Sequence, residues 1–513
     1  MSITHEQTNG NSIQALPSQV EVAVIGAGFS GLATARTLLR AGFDDIVVLE
    51  RGTDVGGTWR DNDYPGCACD VPSHLYSFSF APNPEWSSTF SGQPEIQDYI
   101  RRVARDEGLL PLVRFGAAVE NAAWDEDDRR WTIETARGTL TARHLIAAGG
   151  PLSAPAIPEV PGLGSFPGKL MHSAAWDHDH DLSGERVAVI GTGASAIQFV
   201  PAIRPEVSRL HLFQRTAPWV MPRPDRQLTR VERRLYRRFP VLQHAMRNAI
   251  SWAREAFALP MLHPSLARLV RLHGLRHLRK QIPDPALREK VTPDYLPGCK
   301  RILISNDYLP SLAKPNVEVI AAGLAEVRGS TVVGADGSER EVDTIIFGTG
   351  FHVTDLPIAD RIHGRGGRTL ADYWDGSLRA HRGTTVAGFP NLFFVLGPNT
   401  GTGHTSVLLM AEAQAAYVAR ALRHLRSQGH GTVEVTPEAE ARWNDELQRR
   451  MRGTVWTSGG CQSWYLDRNG RNTTLWPDFG FRFRQAVRRF DPAEHSFTPA
   501  AVPALPQPEP AAA

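Results

Sequence analysis

Cysteine is scarce in this 513-residue chain, which has only Cys67, Cys69, Cys299 and Cys461. So few cysteines do not form a disulfide scaffold, and we expect a reducing, cytoplasmic environment. No uninterrupted apolar run approaches the roughly 20 residues that cross a bilayer, so we expect no transmembrane segment. Residues 1–18 are polar and lack the charged-then-apolar pattern of a signal peptide. The net charge of +2 is too small to indicate nucleic acid as a partner.

Glycine-rich signatures of dinucleotide binding occur twice. The first reads GAGFSG from Gly26 to Gly31, and the second reads GTGASA from Gly191 to Ala196. Each follows an apolar run and precedes a stretch of helical periodicity, which predicts two strand–helix–strand units. The predicted elements are Val20–Ile25, Leu32–Leu39 and Ile46–Leu49 in the first unit, and Val187–Ile190, Ile197–Ile203 and Leu210–Phe213 in the second. Pyrophosphate contacts are expected at Gly26, Gly28 and Gly31, and at Gly191, Gly193 and Ser195. Ala196 replaces a glycine that serves helix–strand packing, where alanine is tolerable.

The two signatures differ in the residue that follows the second strand of each unit. Glu50 stands 24 residues after the first glycine of the first signature, and Arg215 stands 24 residues after that of the second. A carboxylate at this point accepts hydrogen bonds from free ribose hydroxyls, whereas a guanidinium attracts the 2′-phosphate of NADP. The simplest interpretation is a flavoprotein that binds FAD and is reduced by NADPH.

These patterns predict an α/β protein with two Rossmann-like dinucleotide-binding domains and a helical insertion. Apolar strands at Leu145–Gly150 and Asp343–Gly350 are expected to carry the chain between the two domains. The predicted boundaries are a flexible tail at 1–18, an FAD domain at 19–150 plus 340–495, an NADPH domain at 151–222 plus 297–339, the helical insertion at 223–296, and a disordered Pro- and Ala-rich tail at 496–513.

The predicted insertion is strongly basic. Residues 223–290 hold 16 Lys and Arg against 5 Asp and Glu, whereas the rest of the chain has an acidic excess. Two interpretations stay open. The helices form a solvated cap on the NADPH domain, or they form a basic amphipathic surface that touches a membrane peripherally or covers the substrate entrance.

Three candidate residues follow the first unit. Cys67 and Cys69 lie shortly after a glycine pair, where some flavoenzymes place a reactive cysteine. A one-residue spacer fits a redox pair poorly, and buried packing residues are the alternative. Asp70 follows the turn at residues 64–66 and is either a surface turn residue or a carboxylate that orients a catalytic cation.

Two further pairs have both a structural and a catalytic interpretation. Lys300 and Arg301 are either a solvated basic pair or, beside a phosphorylated cofactor, a phosphate contact and a stabiliser of a developing anion. His172 and Trp176, spaced i and i+4, would share a helical face and serve either packing or catalysis.

Other patterns are less informative. Acids and imidazoles alternate from Asp177 to Asp181, but alternation in a short turn rarely brings ligands together, so we predict no metal site. Trp464, Tyr465 and Trp476 either line a pocket or pack in the core.

The segment from Phe166 to Asp177 matches the fingerprint F-x-G-x-x-x-H-x-x-x-W-(P/D) at every defined position: Phe166, Gly168, His172, Trp176 and Asp177. This is the fingerprint of the type I Baeyer–Villiger monooxygenases, within the class B flavoprotein monooxygenases. The chain resembles this family from about Val20 to Phe490. The related N- and S-oxygenating enzymes usually have another aromatic residue where Trp176 stands.

The resemblance implies a role for each matching residue. FAD would be contacted or flanked by Glu50, Thr58, Trp59, Asp70 and Tyr76, and its adenine would lie by Val119. The 2′-phosphate of NADP would be held by Arg215 and Thr216, with Lys300 beside them. Arg301 would be the catalytic arginine, oriented by Asp70, while the coupling of cofactor position to domain motion would involve His172 and Trp176.

The implied function is an NADPH- and O₂-dependent monooxygenase that converts ketones to esters or lactones through an anionic C4a-peroxide of FAD. The alternative is an N- or S-oxygenating flavin monooxygenase that accepts substrates such as thioethers. An NADPH oxidase or reductase and a non-enzymatic redox sensor are more distant alternatives. Asp63 departs from the arginine of many relatives, which leaves open any phosphate or substrate contact of that arginine. The sequence selects neither the ketone nor the oligomeric state.

Overall fold

A computed structural model describes residues 14–500. Most of the two predicted tails, residues 1–13 and 501–513, therefore lies outside the described part of the chain. No described helix is both long and apolar enough to span a bilayer.

Short strands follow one another along the described chain. They are β1 Gln19–Ile25, β2 Ile46–Leu49, β3 Val113–Arg114, β4 Val119–Asp125, β5 Arg130–Thr135, β6 Gly138–Ala147, β7 Lys169–His172, β8 Arg186–Ile190, β9 Arg209–Phe213, β10 Val220–Met221, β11 Leu303–Ile304, β12 Val317–Ile320, β13 Leu324–Arg328, β14 Thr331–Gly334, β15 Glu339–Glu341, β16 Thr344–Phe347, β17 Ile362–His363, β18 Leu392–Phe394, β19 His430–Val435 and β20 His495–Pro499.

Helices alternate with these strands. They are α1 Phe29–Arg40, α2 Thr58–Asp61, α3 Gln93–Asp106, α4 Ala196–Ile203, α5 Arg230–Arg238, α6 Pro240–Glu255, α7 Ala258–Leu262, α8 Pro264–Gln281, α9 Pro285–Lys290, α10 Tyr308–Leu312, α11 Leu370–Trp374, α12 Val407–Gln428, α13 Pro437–Met451, α14 Val455–Ser458 and α15 Gly480–Ala486. Short 3₁₀ segments occupy Leu110–Leu112, Leu163–Ser165, Pro357–Arg361, Arg365–Gly367 and Pro492–Glu494.

The first sheet is built around the first glycine signature. Its strand order is β17-β4-β5-β6-β1-β2-β3, and β18 also pairs with β6. Strands β1, β2, β3, β6 and β18 run parallel, whereas β5 is antiparallel to both β4 and β6. The β1–α1–β2 unit is the predicted one, and its glycine turn lies at the carboxyl end of β1, where parallel sheets bind nucleotides.

The second sheet is entirely parallel, in the order β12-β9-β8-β16-β7. It contains the second predicted unit, β8–α4–β9. Strand β16 pairs with β8 on one side and β7 on the other. The predicted boundary at residue 340 is therefore wrong for β16. This strand is buried on both faces and belongs to the second sheet, so the chain returns to the first sheet only after Phe347.

Five helices, α5 to α9, lie between residues 230 and 290 and form the predicted helical insertion. Strand β10 before them pairs with β11 after them, so the insertion leaves and rejoins the body at adjacent points. Residues 300 and 301 lie one residue before β11, which places the basic pair where the insertion ends.

The predicted disordered tail begins too early. Residues 495–499 form β20, which pairs antiparallel with β19. Phe497 stacks on His430 and supplies the apolar contact that holds this strand in place. The Pro- and Ala-rich composition that suggested disorder begins only after this strand.

The loop that carries Asp70 is fixed to the second unit by one side chain, Gln198 of α4. The hydroxyl of Tyr64 donates to Gln198 Oε1 (3.0 Å), and Gln198 Nε2 donates to the carbonyl of Ala68 (2.9 Å). A hydrophobic core that includes Val24 of β1 and Val189 of β8 also joins the two sheets. The loop before Asp70 is thus positioned by contacts with both units.

Candidate active site

The first glycine turn forms a cradle at the start of α1. The helix begins after Gly28 without a side-chain cap and without an acidic residue in its first turn, so its first N–H groups and positive end are available to an anion. Gly31 permits the close packing beneath: a Cβ atom there would lie 1.8 Å from the carbonyl oxygen of Gly26. These features fit a pyrophosphate group.

Glu50 lies directly beyond β2 and beside this cradle. Its buried carboxylate accepts hydrogen bonds from the N–H of Ala27 (2.8 Å), the N–H of Gly52 (2.7 Å) and the guanidinium of Arg60 (2.7 Å). These three hydrogen bonds orient the carboxylate at the point where a ribose would bind. The sequence analysis did not identify Arg60, because no spacing rule connects it to Glu50.

Aromatic side chains border the same unit. The indole N–H of Trp59 donates to the hydroxyl of Tyr76 (2.9 Å), and both rings are packed edge to face. Thr58 is exposed at the start of α2. Val119 is buried at the start of β4, and its carbonyl accepts a hydrogen bond from Arg361. The geometry is compatible with the implied flavin contacts of Trp59 and Tyr76.

Cys67 and Cys69 are free and buried. Burial raises the pKa of the Cys67 thiol to about 12 and raises that of Cys69 further. A thiol with a raised pKa is a poor nucleophile. This environment fits the packing interpretation and not a redox pair.

The second glycine turn, Gly191 to Ser195, is open to solvent at Gly193 and leads into α4, which again lacks a side-chain cap. The hydroxyl of Thr192 donates to the carbonyl of Thr216 (3.1 Å) and ties this turn to the segment after β9. Arg215 is exposed in that segment. An exposed guanidinium beside an uncapped helix start suits a phosphorylated ribose.

Lys300 lies close to Arg215. Burial, followed by repulsion from Arg215, lowers the pKa of the Lys300 ammonium. Its Nζ atom stands 5.2 Å from the centre of the Tyr295 ring. The two like charges repel each other, so a bound anion would relieve this repulsion and would itself be attracted to the site.

Asp70 and Arg301 form a bidentate ion pair. Arg301 Nε donates to Asp70 Oδ2 (2.7 Å), and Arg301 NH2 donates to Oδ1 (2.8 Å). Burial alone would raise the pKa of Asp70, but the guanidinium outweighs it and holds the pKa below its usual value. The Arg301 and Asp70 side chains are 29% and 27% exposed, so the pair is partly accessible to solvent. This ion pair is compatible with an Arg301 that is oriented by Asp70, as the resemblance implies.

A second arginine, Arg254 of α6, stands near this pair. Its charge helps to lower the pKa of Asp70, while burial lowers its own. Its Nε atom is buried and has no hydrogen-bond partner among residues 14–500. Tyr465 is buried beside Arg301, and Trp464 is largely exposed. Sequence reasoning missed Arg254, because the charge-rich insertion offers no signal that separates it from its neighbours.

The fingerprint residues lie in a strand and a turn, so the expected helical face is wrong. His172 ends β7, which is held as a strand by its pairing with β16. Its Nδ1 accepts from the N–H of Ala174 (3.0 Å), and its Nε2 donates to the carbonyl of Gly350 (3.1 Å). Trp176 lies in the following turn against Phe199 of α4. His172 thus connects β7 to the segment that follows β16, where the chain returns to the first sheet.

Two further fingerprint positions, Phe166 and Gly168, are structural. Phe166 is buried in the core of the second sheet. Gly168 passes so close to β16 that a Cβ atom there would lie 2.0 Å from the carbonyl oxygen of Asp343. The fingerprint therefore describes how β7 packs into the second sheet, as well as the histidine that it presents.

Neighbouring side chains engage the polar turn from 177 to 181. Asp177 forms an ion pair with Lys169, and His180 Nε2 lies 3.3 Å from Glu185 Oε2. Asp63, the departure from the family pattern, has its Oδ2 atom 3.0 Å from His178 Nε2, and both side chains are partly exposed.

Cys299 and Cys461 form a disulfide, contrary to the expectation of a fully reduced chain. The two residues are 162 positions apart, and their Cα atoms are 6.2 Å apart. No spacing pattern indicates this pairing, because only the fold brings the end of the insertion against the segment before Trp464. The bridge anchors the residue that directly precedes Lys300 and Arg301.

We expect Cys299→Ser to lower the free energy of unfolding by at least about 2 kcal/mol, because the bridge restricts a long loop in the unfolded chain. Thermal unfolding with and without dithiothreitol measures the effect. The reductant should lower the midpoint of the parent protein and leave Cys299→Ser unchanged, while Cys67→Ser should respond to reductant as the parent does. Four free thiols in the unreduced parent would contradict the bridge.

Comparisons with known proteins agree with this geometry. The flavin-binding monooxygenase-like family model matches residues 19–256. A Baeyer–Villiger monooxygenase of Streptomyces coelicolor is 57% identical over 93% of this chain and 92% of its own, and one of Pseudomonas aeruginosa is 47% identical over 98% and 96%. The structure of cyclohexanone monooxygenase from Rhodococcus sp. Phi1 bound to NADP⁺ superposes with a TM-score of 0.84 at 29% identity, over 94% of this chain and 100% of that one.

Proposed function

The chain belongs to the Baeyer–Villiger monooxygenases of the flavin-binding monooxygenase-like group, and on this premise we propose how its residues convert ketones to esters or lactones. The enzyme uses FAD, NADPH and O₂. The observation that carries the residue assignments is the bidentate pair of Asp70 and Arg301, which lies beside the loop that connects the two nucleotide units.

The residues around each glycine turn fit the two cofactors. We propose that the α1 cradle and Glu50 hold FAD, with Trp59 and Tyr76 beside it, and that Arg215 and Lys300 hold the 2′-phosphate of NADPH. Bound FAD, reduced by NADPH, supplies the activated oxygen, which is chemistry that no side chain can provide.

Arg301 supplies positive charge where the reaction develops negative charge. When a ketone carbonyl carbon is attacked, its oxygen becomes an alkoxide. A guanidinium held in place by Asp70 stabilises that charge without having to reorient. Arg254 adds a second positive charge near the same point. N- or S-oxygenation develops no such alkoxide, so this arrangement supports ketone oxidation over the alternative.

Product analysis tests the proposed function. FAD-loaded protein is supplied with NADPH, O₂ and either cyclohexanone or a thioether, and the products are identified by mass spectrometry. We expect a lactone from the ketone, formed in proportion to the NADPH consumed. Hydrogen peroxide as the sole product, or sulfoxide without any lactone or ester across a panel of linear, cyclic and aromatic ketones, would contradict the proposal.

Asp70→Asn should reduce kcat for ester formation about tenfold, since replacing a charged hydrogen-bond partner by a neutral one costs about 1.5 kcal/mol. The anaerobic rate of flavin reduction should stay within about twofold, because Asp70 acts by positioning Arg301. Asp63→Asn, which removes an exposed acid seven residues away, is the matched control and should leave both rates unchanged. Equal loss of both rates in Asp70→Asn would indicate a general role in flavin binding.

We also propose a cytoplasmic location, because the enzyme consumes NADPH, which cells regenerate there. The same proposal places the single Cys299–Cys461 bridge in a largely reducing compartment, where its burial against Val455 and Tyr465 would protect it.

A further inference from the structure

An apolar surface covers the helical insertion. Among the described residues, sixteen large hydrophobic side chains are exposed, and twelve of them lie between positions 231 and 272. We call these twelve the insertion surface: Val231, Leu235, Phe239, Val241, Leu242, Met246, Trp252, Phe257, Leu259, Leu266, Leu269 and Leu272. Scattered exposed hydrophobic residues are ordinary, but such a concentration marks an interaction site.

The exposure on α6 follows from the orientation of this helix, because its polar face is buried and its apolar face is exposed. Its buried residues are polar and recur every fourth position: Gln243, Arg247, Ser251 and Glu255. Its outward face carries Val241, which is 70% exposed, and Trp252, which is 63% exposed. A helix on the surface of a water-soluble protein normally has the opposite arrangement.

Hydrogen bonds fix the polar face of α6 inward. Gln243 donates to the carbonyl of Asn83 (2.6 Å), and Arg247 donates to the carbonyl of Leu75 (2.9 Å). Glu255 accepts from the N–H of Gly480 (2.9 Å). Rotating the helix to bury its apolar face would leave these buried groups unpaired, so the apolar face must point away from the protein.

Positive charge surrounds the insertion surface. Eight exposed basic residues of α5 and α8 or their ends have no acidic partner within 4.0 Å anywhere in the described chain: Arg230, Arg234, Arg238, Arg268, Arg271, Arg276, Arg279 and Lys280. Apolar side chains interleaved with unpaired arginines are typical of helices that lie in the interface of an anionic bilayer.

We propose that the insertion surface binds peripherally to a membrane of anionic lipids. The apolar side chains of α5 and α6 enter the boundary between headgroups and acyl chains, and the arginines contact lipid phosphates. A second copy of the chain is a poorer occupant. A two-fold dimer would place this surface against itself and bring like charges together.

Vesicle co-sedimentation of the FAD-loaded full-length protein tests the proposal. We expect binding to vesicles of phosphatidylglycerol and phosphatidylethanolamine, weak binding to phosphatidylcholine alone, and release as salt screens the charges. The double variant Val241→Ser/Trp252→Ser should bind about tenfold more weakly, since it removes two apolar contacts. Ile157→Ser, which changes an exposed apolar residue outside the insertion, is the matched control and should bind as the parent does.

Two further measurements make the outcome decisive. The NADPH oxidation rate of the double variant in lipid-free buffer should equal that of the parent, which shows that the variant is folded and that membrane binding is separate from catalysis. Equal binding of parent and double variant, or no binding to anionic vesicles, would overturn the proposal. Light scattering that finds a dimer in the parent and a monomer in the double variant would assign the surface to a second copy instead.

Discussion

Arg301→Ala should lower the rate of ester formation at least about 10²- to 10³-fold, the usual loss when one preorganised donor to a developing oxyanion is removed. The structure gives the physical reason. Arg301 is held by two hydrogen bonds to Asp70, and Asp70 lies in a loop that Gln198 fixes to the second unit. The guanidinium therefore points to one place, and no neighbouring donor is held in the same way.

The measurement separates two half-reactions. Stopped-flow reduction of the flavin by NADPH without oxygen should stay within about twofold of the parent, while ester formation in air falls. Arg301→Lys keeps the charge but loses the bidentate geometry, so we expect intermediate activity. Arg237→Ala removes an exposed arginine paired with Glu85 and serves as the control. An Arg301→Ala variant that forms ester at a near-parental rate would refute the catalytic assignment.

Arg215→Ala should weaken NADPH binding up to about a hundredfold, because a charge-assisted contact to phosphate is worth up to about 3 kcal/mol. Binding of NADH, which lacks the 2′-phosphate, should change little. The expected selectivity follows from the position of Arg215 beside Lys300, whose pKa is lowered first by burial and then by repulsion from Arg215.

Titration of each variant with both nucleotides gives the ratio of dissociation constants. Lys300→Met should reduce the preference for NADPH in the same direction. Arg209→Ala is the control: Arg209 is exposed at the other end of β9, its side chain donates to the carbonyl of Pro315, and its loss should leave the ratio unchanged. Equal loss of NADPH and NADH binding in Arg215→Ala would show that the arginine supports the fold of the site and does not bind the 2′-phosphate.

The two strand–helix–strand units could be predicted to within three residues because they are local; the largest difference is at α1, which begins at Phe29 instead of Leu32. Strand β2 has the predicted bounds, and α4 begins one residue earlier than predicted. Glycines, a buried strand and a charged residue at fixed spacing encode each unit within about 30 residues. The geometry of Asp70 and Arg301 came from the family resemblance, since 231 residues separate the two and no spacing rule connects them.

The wrong predictions share a different cause, which is long-range pairing. Strand β16 belongs to the second sheet because one of its edges pairs with β7 and the other with β8. His172 is part of a strand because β7 pairs with β16. The Cys299–Cys461 bridge and the position of Arg254 depend on how the insertion packs back on the body. Such contacts are set by tertiary structure and leave no periodic trace in the sequence.

The bridge at Cys461 also bears on protein engineering. The segment from Cys461 to Tyr465 reaches the neighbourhood of Arg301 and is a natural target for libraries that aim to change ketone preference. A library that randomises the whole segment would remove the anchor of residue 299 in most of its members. Variants with altered ketone preference would then also have impaired turnover. Libraries that hold Cys461 constant and vary Trp464 would separate the two traits.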